Sequence, residues 1–473
     1  MSPSIEPFNE AKYKALMDGL DIKECRFSEV VRCTDYFRLE ADYFTAQNLQ
    51  GDNIVSAIKY IERVQYGTSE FLNEEKQGYP ILRLNEFETY FIKEPAKYCD
   101  IITRQQYEEL KLHKGDVLVC RTNGNPDLVG RAAVIMEECD YAFASYLFRV
   151  NVSDEITPEY FVAYLQSKYG RIEIDKNSMK GNQTNFSPAK LKDIKIPSFS
   201  YDFCKTITCR FRESYDQLKT SKDFYSLAEK LLKEKLSIEF DDKQSISIKK
   251  LSNSFNTSGR LDAEYYQPKY EQIEIAIKNT KHTYLDVICD VETGEFISET
   301  LYGQEGFSYI RGTDITSHCI DVENATKVNT TINGLNVIEN GDLAFAMIGS
   351  VGNVSINRGT TAIVSNNLGT IKPHDKKLSN YLLVYLLSDI GQALFEKYQT
   401  RTAQPKIKKE DVGKFLVPLL SDDEIEFISN KAEESFRLKE KSKELLDIAI
   451  KAVEMAIETD EETALAWLDS QNI

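Results

Sequence analysis

Two lysine-rich windows carry groups suited to neutralising phosphate. Lys176 to Lys195 holds five lysines and one aspartate, and Lys397 to Leu416 holds five lysines and one arginine against one glutamate and one aspartate. Each window is therefore net +4 within a chain whose formal net charge is −17. Each also contains a polar loop, KGNQTNF (Lys180 to Phe186) and TRTAQPK (Thr400 to Lys406). Lysine and arginine suit phosphate oxygens, whereas amides and hydroxyls reach phosphates or base edges. The candidates for nucleic-acid contact here are Lys180, Asn182, Gln183, Thr184 and Asn185 in the first window, and Arg401, Thr402, Gln404 and Lys406 in the second.

A second pair of segments has similar potential. RTNGNPDLVGR supplies Arg121, Asn123, Asn125 and Arg131, and MIGSVGNVSINR supplies Ser350, Asn353 and Arg358. Their glycines let a backbone approach a ligand closely. The plain alternative is a hairpin turn with no ligand. Arg83 and Arg311, on matching apolar runs, fit either a DNA contact or an ion pair with a nearby carboxylate.

Catalytic signatures are missing. The chain has no Pro-Pro, so the Asn/Asp-Pro-Pro-aromatic motif of amino-methyltransferases is absent, and it has neither a G-x-G-x-x-G nor a P-loop. Its 4 histidines and 9 cysteines include no C-x-x-C, which argues against zinc and for free thiols in a reducing cytoplasm. Asp127, after Pro126, reads as a turn residue rather than a metal ligand. No apolar run reaches the roughly 18 residues of a membrane span, and the N-terminus lacks the layout of a signal peptide. The expectation is a cytoplasmic binding protein without catalytic, metal or cofactor residues of its own. The acidic balance disfavours a general nucleic-acid binder but leaves room for local basic surfaces.

The scaffold that must position these segments is written twice. RLEADYF (Arg38 to Phe44) returns as RLDAEYY (Arg260 to Tyr266), and KGDVLVCRTNG returns as NGDLAFAMIG. YFVAYLQSKYG at Tyr160 pairs with YLLVYLLSDIG at Tyr381, and Pro197 with Pro418, both 221 residues apart. An ordered series at a nearly constant offset predicts a tandem duplication of α+β domains. Each copy reads as short strands around YPILRL and DVLVCRT, then one buried helix that opens at Thr157-Pro158 and closes at Gly170.

No glycine or proline occurs between Ser198 and Ser258 or after Pro418. Apolar residues there recur at helical spacing and include Phe203, Ile207, Phe211 and Leu232, then Ile425, Phe436 and Leu445. Two long amphipathic helices are expected, each about 55–60 Å at ~1.5 Å per residue. They are expected to pair as an antiparallel coiled coil and to offer these residues to partner proteins. The expected layout is a first domain over 1–198, helix and linker over 199–245, a second domain over 246–419, a second helix over 420–460 and an acidic tail over 461–473.

Two such domains, each followed by a long helix, resemble the specificity subunits of type I restriction-modification systems. The carriers are KGDVLVCRTNGNPDLVG, YFVAYLQSKYG and GNQTNFSPAKLKDIKIP, with NGDLAFAMIGSVGN, YLLVYLLSDIG and TAQPKIKKEDVGKFLVP as their partners. The resemblance implies two target recognition domains, each reading one half of a split double-stranded DNA site. It implies a helical spacer and two docked methyltransferase subunits that hold S-adenosylmethionine and methylate adenine, with nuclease or translocase subunits joining in some complexes. Many members open each domain with a tryptophan-containing segment, whereas the one tryptophan here is Trp467. The R-L-(D/E)-A-(D/E)-Y openings are closer to subunits paired with fused methyltransferase-nuclease chains, as in type IIB systems. Other readings are a specificity-like subunit of another defence or epigenetic system, and a two-domain scaffold that binds protein only.

Overall fold

Short apolar runs bounded by glycine and polar residues form the strands of the computed structural model, which describes residues 10–17, 24–32, 49, 53–180, 183–236, 246–315 and 318–471. The RLEADYF phrase lies outside the described residues. The chain divides into two units, Met1–Asp216 with Lys441–Ile473, and Gln217–Glu440. The first unit and its exit helix contain β1 (Ile54–Ser56), β2 (Ile61–Tyr66), β3 (Tyr79–Leu82), β4 (Lys97–Cys99), β5 (Val117–Cys120), β6 (Thr122–Asn123), β7 (Ala132–Val134), β8 (Ala142–Phe143), β9 (Leu147–Val152), α1 (Pro158–Gln166), α2 (Lys168–Asn177), β10 (Thr184–Asn185), β11 (Lys195–Pro197) and α3 (Tyr201–Leu236). An antiparallel sheet runs in the order β2-β9-β5-β7. Beside it β3 pairs parallel with β8 and antiparallel with β4, and β1 pairs with β11.

The second unit repeats this order. Its principal elements are β12 (His282–Tyr284), β13 (Cys289–Thr293), β14 (Phe307–Ile310), β15 (Thr326–Val328), β16 (Leu343–Ala346), β17 (Val354–Ile356), β18 (Ala362–Val364), β19 (Leu368–Pro373), α4 (Ser379–Leu387), α5 (Asp389–Tyr398) and β20 (Leu416–Pro418). They are followed by α6 (Asp422–Glu458) and α7 (Glu461–Ser470). The sheet order is β13-β19-β16-β17, β14 pairs parallel with β18, and β12 pairs with β20. Strand β16 shows why such runs are apolar at every position. Leu343 and Phe345 enter the core shared with α4 and α5, while Ala344 and Ala346 enter a second cluster on the opposite face. Both faces are covered, so alternation of apolar and polar residues disappears.

The shared motif Tyr-x3-Tyr-Leu-x-Ser-x2-Gly has a structural reason at each position. Thr157 caps α1 by accepting the Tyr160 N–H at 3.2 Å, with Pro158 at the first helical position. The Tyr160 hydroxyl then donates to the Pro197 carbonyl at 2.8 Å and that of Tyr164 to the Lys195 carbonyl, which ties α1 to β11. Tyr381 and Tyr385 do the same to Pro418 and Leu416 in the second unit. The single helix expected to close at Gly170 is instead two helices. Ser167 ends α1 and caps α2 by accepting the Gly170 N–H at 3.1 Å, and Ser388 plays that part before α5. Gly170 therefore lies inside α2, where a Cβ would meet the Tyr164 carbonyl oxygen at 2.0 Å.

The long stretches without glycine or proline form α3 and α6, of 36 and 37 residues. Within the first unit the Ser214 hydroxyl donates to the Ser442 carbonyl at 2.7 Å. Within the second, the Ser221 and Ser435 hydroxyls lie 3.1 Å apart, Lys431 sits over the Phe224 ring, and Lys235 pairs with Glu424 at 2.5 Å. In that unit α3 runs forward as α6 runs back, so the two are antiparallel. Small serines let the helices approach closely, and most of the large apolar residues are used elsewhere. Phe203 packs on Tyr160 and Phe199, Phe211 packs on Phe91, and Leu232 and Phe436 join the core of the second unit. The expectation that Phe203, Ile207, Phe211, Leu232, Phe436 and Leu445 face partner proteins is therefore corrected, because all six are buried within the chain. Ile425 is partly buried against the same core. An amphipathic seam says that a stripe is covered without saying by what.

Charged brackets join α3 and α6 to the domains. In the first unit the Lys168 N–H donates to Glu454 at 2.6 Å and its ammonium pairs with Glu458. In the second, Lys233 pairs with Asp389 at 2.7 Å. The acidic C-terminal segment forms α7, which buries Ala464 and Leu468, and its Glu461 accepts the Ser200 N–H at 2.9 Å.

Lys235 and hydrogen bonds from Ser421 hold the Glu424 carboxyl down at about 2. A depressed carboxylate adds stability above its unfolded value of about 4.3 and loses it as pH falls toward 2. Lys235→Ala should move Glu424 back toward the ordinary carboxylate range in an NMR titration. An unchanged titration would show that Lys235 contributes nothing.

Candidate nucleic-acid interface

In the first unit the two candidate segments meet edge to edge. β6 and β10 pair antiparallel, with Asn123 opposite Thr184 and Thr122 opposite Asn185. The Thr122 hydroxyl donates to the Thr184 carbonyl at 3.1 Å, and the Phe186 N–H donates to the Arg121 carbonyl at 2.7 Å. Asn123 Oδ1 accepts the Asn125 N–H at 2.8 Å, and Asn125 Oδ1 accepts the Asp127 N–H at 3.0 Å. This chain of local bonds shapes the loop, and Asp127 sits in the resulting turn.

Gly124, Asn125, Lys180 and Gln183 are exposed, Arg121, Asn123, Arg131 and Asn185 are half-buried, and Thr184 is buried. The Arg121 guanidinium lies 5.0 Å from the Tyr66 ring centroid, and Lys180 pairs with Asp175 at 3.2 Å. Asn182 lies outside the described residues.

The second unit makes the same junction with different residues. Ile348 bridges to Lys406, the Gly349 N–H donates to the Pro405 carbonyl at 2.9 Å, and the Ile407 N–H donates to the Met347 carbonyl at 2.9 Å. Ser350, Asn353, Arg401, Thr402, Gln404 and Lys406 are all exposed there. Thr402 donates to the Gln404 carbonyl at 2.6 Å, which folds the tip of the basic window. The Arg401 guanidinium donates to the Glu396 carbonyl at 3.1 Å and reaches the Tyr270 hydroxyl at 3.4 Å.

Other candidates are engaged within their own units. Arg83 forms an ion pair at 2.7 Å with Glu86, whose carboxylate is buried. At the matching place Asp314 accepts the Arg311 backbone N–H at 2.7 Å and leaves the Arg311 side chain exposed. Arg358 pairs with Glu433 and Asn380 and lies over the Phe436 ring, so its guanidinium is turned to α6. Lys397 pairs with Glu274 and is buried, which removes one charge from the second window.

Several cysteines of the two units are buried. Burial pushes the Cys120 and Cys319 thiols up to about 11 and those of Cys204 and Cys289 up to about 12. Among the described residues no three histidine, cysteine, aspartate or glutamate side chains gather where they could hold a metal, and no helix is long and apolar enough to cross a membrane.

Sequence reasoning missed the residues behind the loops. The Arg171 guanidinium donates to the Val129 carbonyl at 2.9 Å and the Asp127 carbonyl at 3.0 Å. The Gln166 amide donates to the Gly130 carbonyl at 3.1 Å. In the second unit the Gln392 amide donates to the Gly352 carbonyl at 2.8 Å. Arg171 and Gln392 stand directly after the repeated motif, 221 residues apart, so extending the repeat by one residue would have found them.

Residues 278–428 match the family model described as the type I restriction modification DNA specificity domain. No curated protein sequence matches the chain. Among solved structures, the chain is similar to the S subunit of a type I restriction-modification system from M. genitalium, at 13% identity and a TM-score of 0.37, over 89% of this chain and 98% of that one. It is also similar to the HsdS subunit from Thermoanaerobacter tengcongensis, at 13% identity and a TM-score of 0.29, over 86% of this chain and 96% of that one.

Proposed function

Since residues 278–428 match the family model of the type I restriction modification DNA specificity domain, we propose that the chain is the DNA-recognition subunit of a restriction-modification complex. Each unit reads one half of a bipartite double-stranded target. The observation that carries this reading is the junction made in both units, where a glycine-containing polar loop and a lysine-rich window share one edge. Lysines there meet phosphates, and exposed amides and hydroxyls meet bases. The scaffold agrees between the units while the loops differ in length and content. Two readers of different half-sites require that difference.

The recurrence of strand order supports an origin by tandem duplication, and the serine contacts support α3 and α6 as an antiparallel coiled-coil spacer between the half-sites. The chain is a non-catalytic subunit in this reading. Methyltransferase subunits dock on it, two in the expected complex, and bring the S-adenosylmethionine and the adenine chemistry.

A modified-base map of cells with and without the gene tests the proposal. A bipartite adenine mark that disappears with the gene supports it, and an unchanged map refutes it. Binding of the chain with its partners to the marked duplex should weaken as salt rises, with a slope in log K against log salt of about −0.9 per phosphate contact. Salt-independent association would favour a protein-only scaffold.

A further inference from the structure

The two units expose their candidate reading groups on loops that border open hollows. Beneath the first loop is a hollow of about 340 Å³ lined by Asp127, Val129, Ile174 and Thr184 among others. Beside the second, along α5, is one of about 500 Å³ bordered by Val351, Asp389 and Gln392. Each loop is tied down by hydrogen bonds donated to its backbone carbonyls. In both units those bonds come from the same point of the helix after the repeated motif.

Resting on the recognition function proposed above, we infer that Arg171 and Gln392 are positioning residues, each holding its own unit's reading loop in the shape that selects one half-site. The half-buried Arg171 bridges two carbonyls, those of Asp127 and Val129, at the end of the turn that begins with Asn125. Burial lowers its guanidinium from the ordinary value, and with both carbonyls accepting from it the charge remains an effective clamp. Gln392 instead donates one amide hydrogen bond to Gly352 and another, at 2.9 Å, to the Leu386 carbonyl of the preceding helix.

Gly130 and Gly352 occupy left-handed conformations, at φ +75° and +100°, and a Cβ at either would strike the clamping helix at 2.5 Å. The loop backbone and the clamp are thus fitted to each other, one cationic and bidentate, the other neutral. Neither side chain needs to touch DNA. Each determines where Asn123 and Asn125, or Ser350 and Asn353, stand when DNA is present.

The test uses the full chain with its partner subunits and reads the genome's modified-base map. Arg171→Gln, which places the second unit's residue in the first, should relax base preference by about tenfold at positions in one half of the bipartite mark, the discrimination of one good base contact. The other half should keep its preference. Gln392→Ala should relax the opposite half, and it decides the matter should Arg171→Gln fail to fold. A merely structural role predicts an even decline of the whole mark with a lowered melting temperature, and that result overturns the inference. A map unchanged by both variants also overturns it. Cells carrying the unaltered chain that show no bipartite mark would instead remove the recognition function on which it rests.

Discussion

Arg149→Ala should cost the first unit about 3–5 kcal/mol of unfolding free energy, the largest effect expected of any single substitution in its central sheet. Arg149 is buried on β9 and pairs with the buried Asp116 at 3.1 Å. It also donates to the Lys111 carbonyl at 2.6 Å and the Glu109 carbonyl at 3.0 Å, and it contacts Gln65. Truncation leaves a buried carboxylate that keeps only the His113 N–H, at 2.9 Å, and Asn151 as donors. Removing both charges avoids that penalty, so Arg149→Met with Asp116→Asn should be more stable than Arg149→Ala alone. Urea unfolding of the three proteins decides it. A double variant no better than the single would mean that the hydrogen bonds to Lys111 and Glu109 matter more than the stranded charge.

Gly170→Ala and Gly391→Ala should each cost about 3 kcal/mol. A Cβ at Gly170 would meet the Tyr164 carbonyl oxygen at 2.0 Å and the Leu165 Cα at 2.8 Å. At Gly391 it would meet the Tyr385 carbonyl oxygen at 2.3 Å and the Leu386 Cα at 2.6 Å. These obstacles are backbone atoms of the preceding helix, so no side chain can swing aside. The hinge between the two short helices must open, and α1 with its tyrosine bonds to β11 must shift. Thermal unfolding reads the loss, and a change within about 0.5 kcal/mol of the unaltered protein would show that the hinge adapts.

Much of this architecture is legible in the sequence, and the reasons it stops being legible are physical. The matched tyrosines, serine and glycine of the helical motif announce a repeated scaffold because each contacts backbone that is itself repeated. Two stretches free of glycine and proline announce α3 and α6. The break at Ser167 escapes notice because a serine reads equally well as helix interior and helix cap. The burial of Phe203 and Phe211 escapes for another reason, since periodicity gives a covered face without its cover.

At the candidate interface, the meeting of β6 with β10 joins residues about sixty apart, which spacing alone cannot reveal. Both segments were nonetheless separately marked by their composition. The pairing of Arg149 on β9 with Asp116, just before β5, joins residues that spacing alone does not bring together. In the second unit the matching aspartate, Asp342, pairs with Lys376 instead.

The brackets on the two long helices bear on heredity as well as on structure. Lys168 and Asp389 occupy one position of the repeat, and Glu454 and Lys233 occupy another, yet the contacts differ: the Lys168 backbone N–H meets Glu454 while its ammonium pairs with Glu458, and Asp389 pairs with Lys233. Each domain is thus braced by the helix that follows the other. A gene carrying two copies of the first half would put Lys233 where Glu454 accepts an N–H and Ser237 where Glu458 meets the ammonium, and one carrying two copies of the second would set Asp389 against Glu454. The halves share a scaffold yet are not interchangeable at these contacts. A half grafted onto this chain keeps its bracket to the opposite helix only with a compatible residue at position 168 or 389.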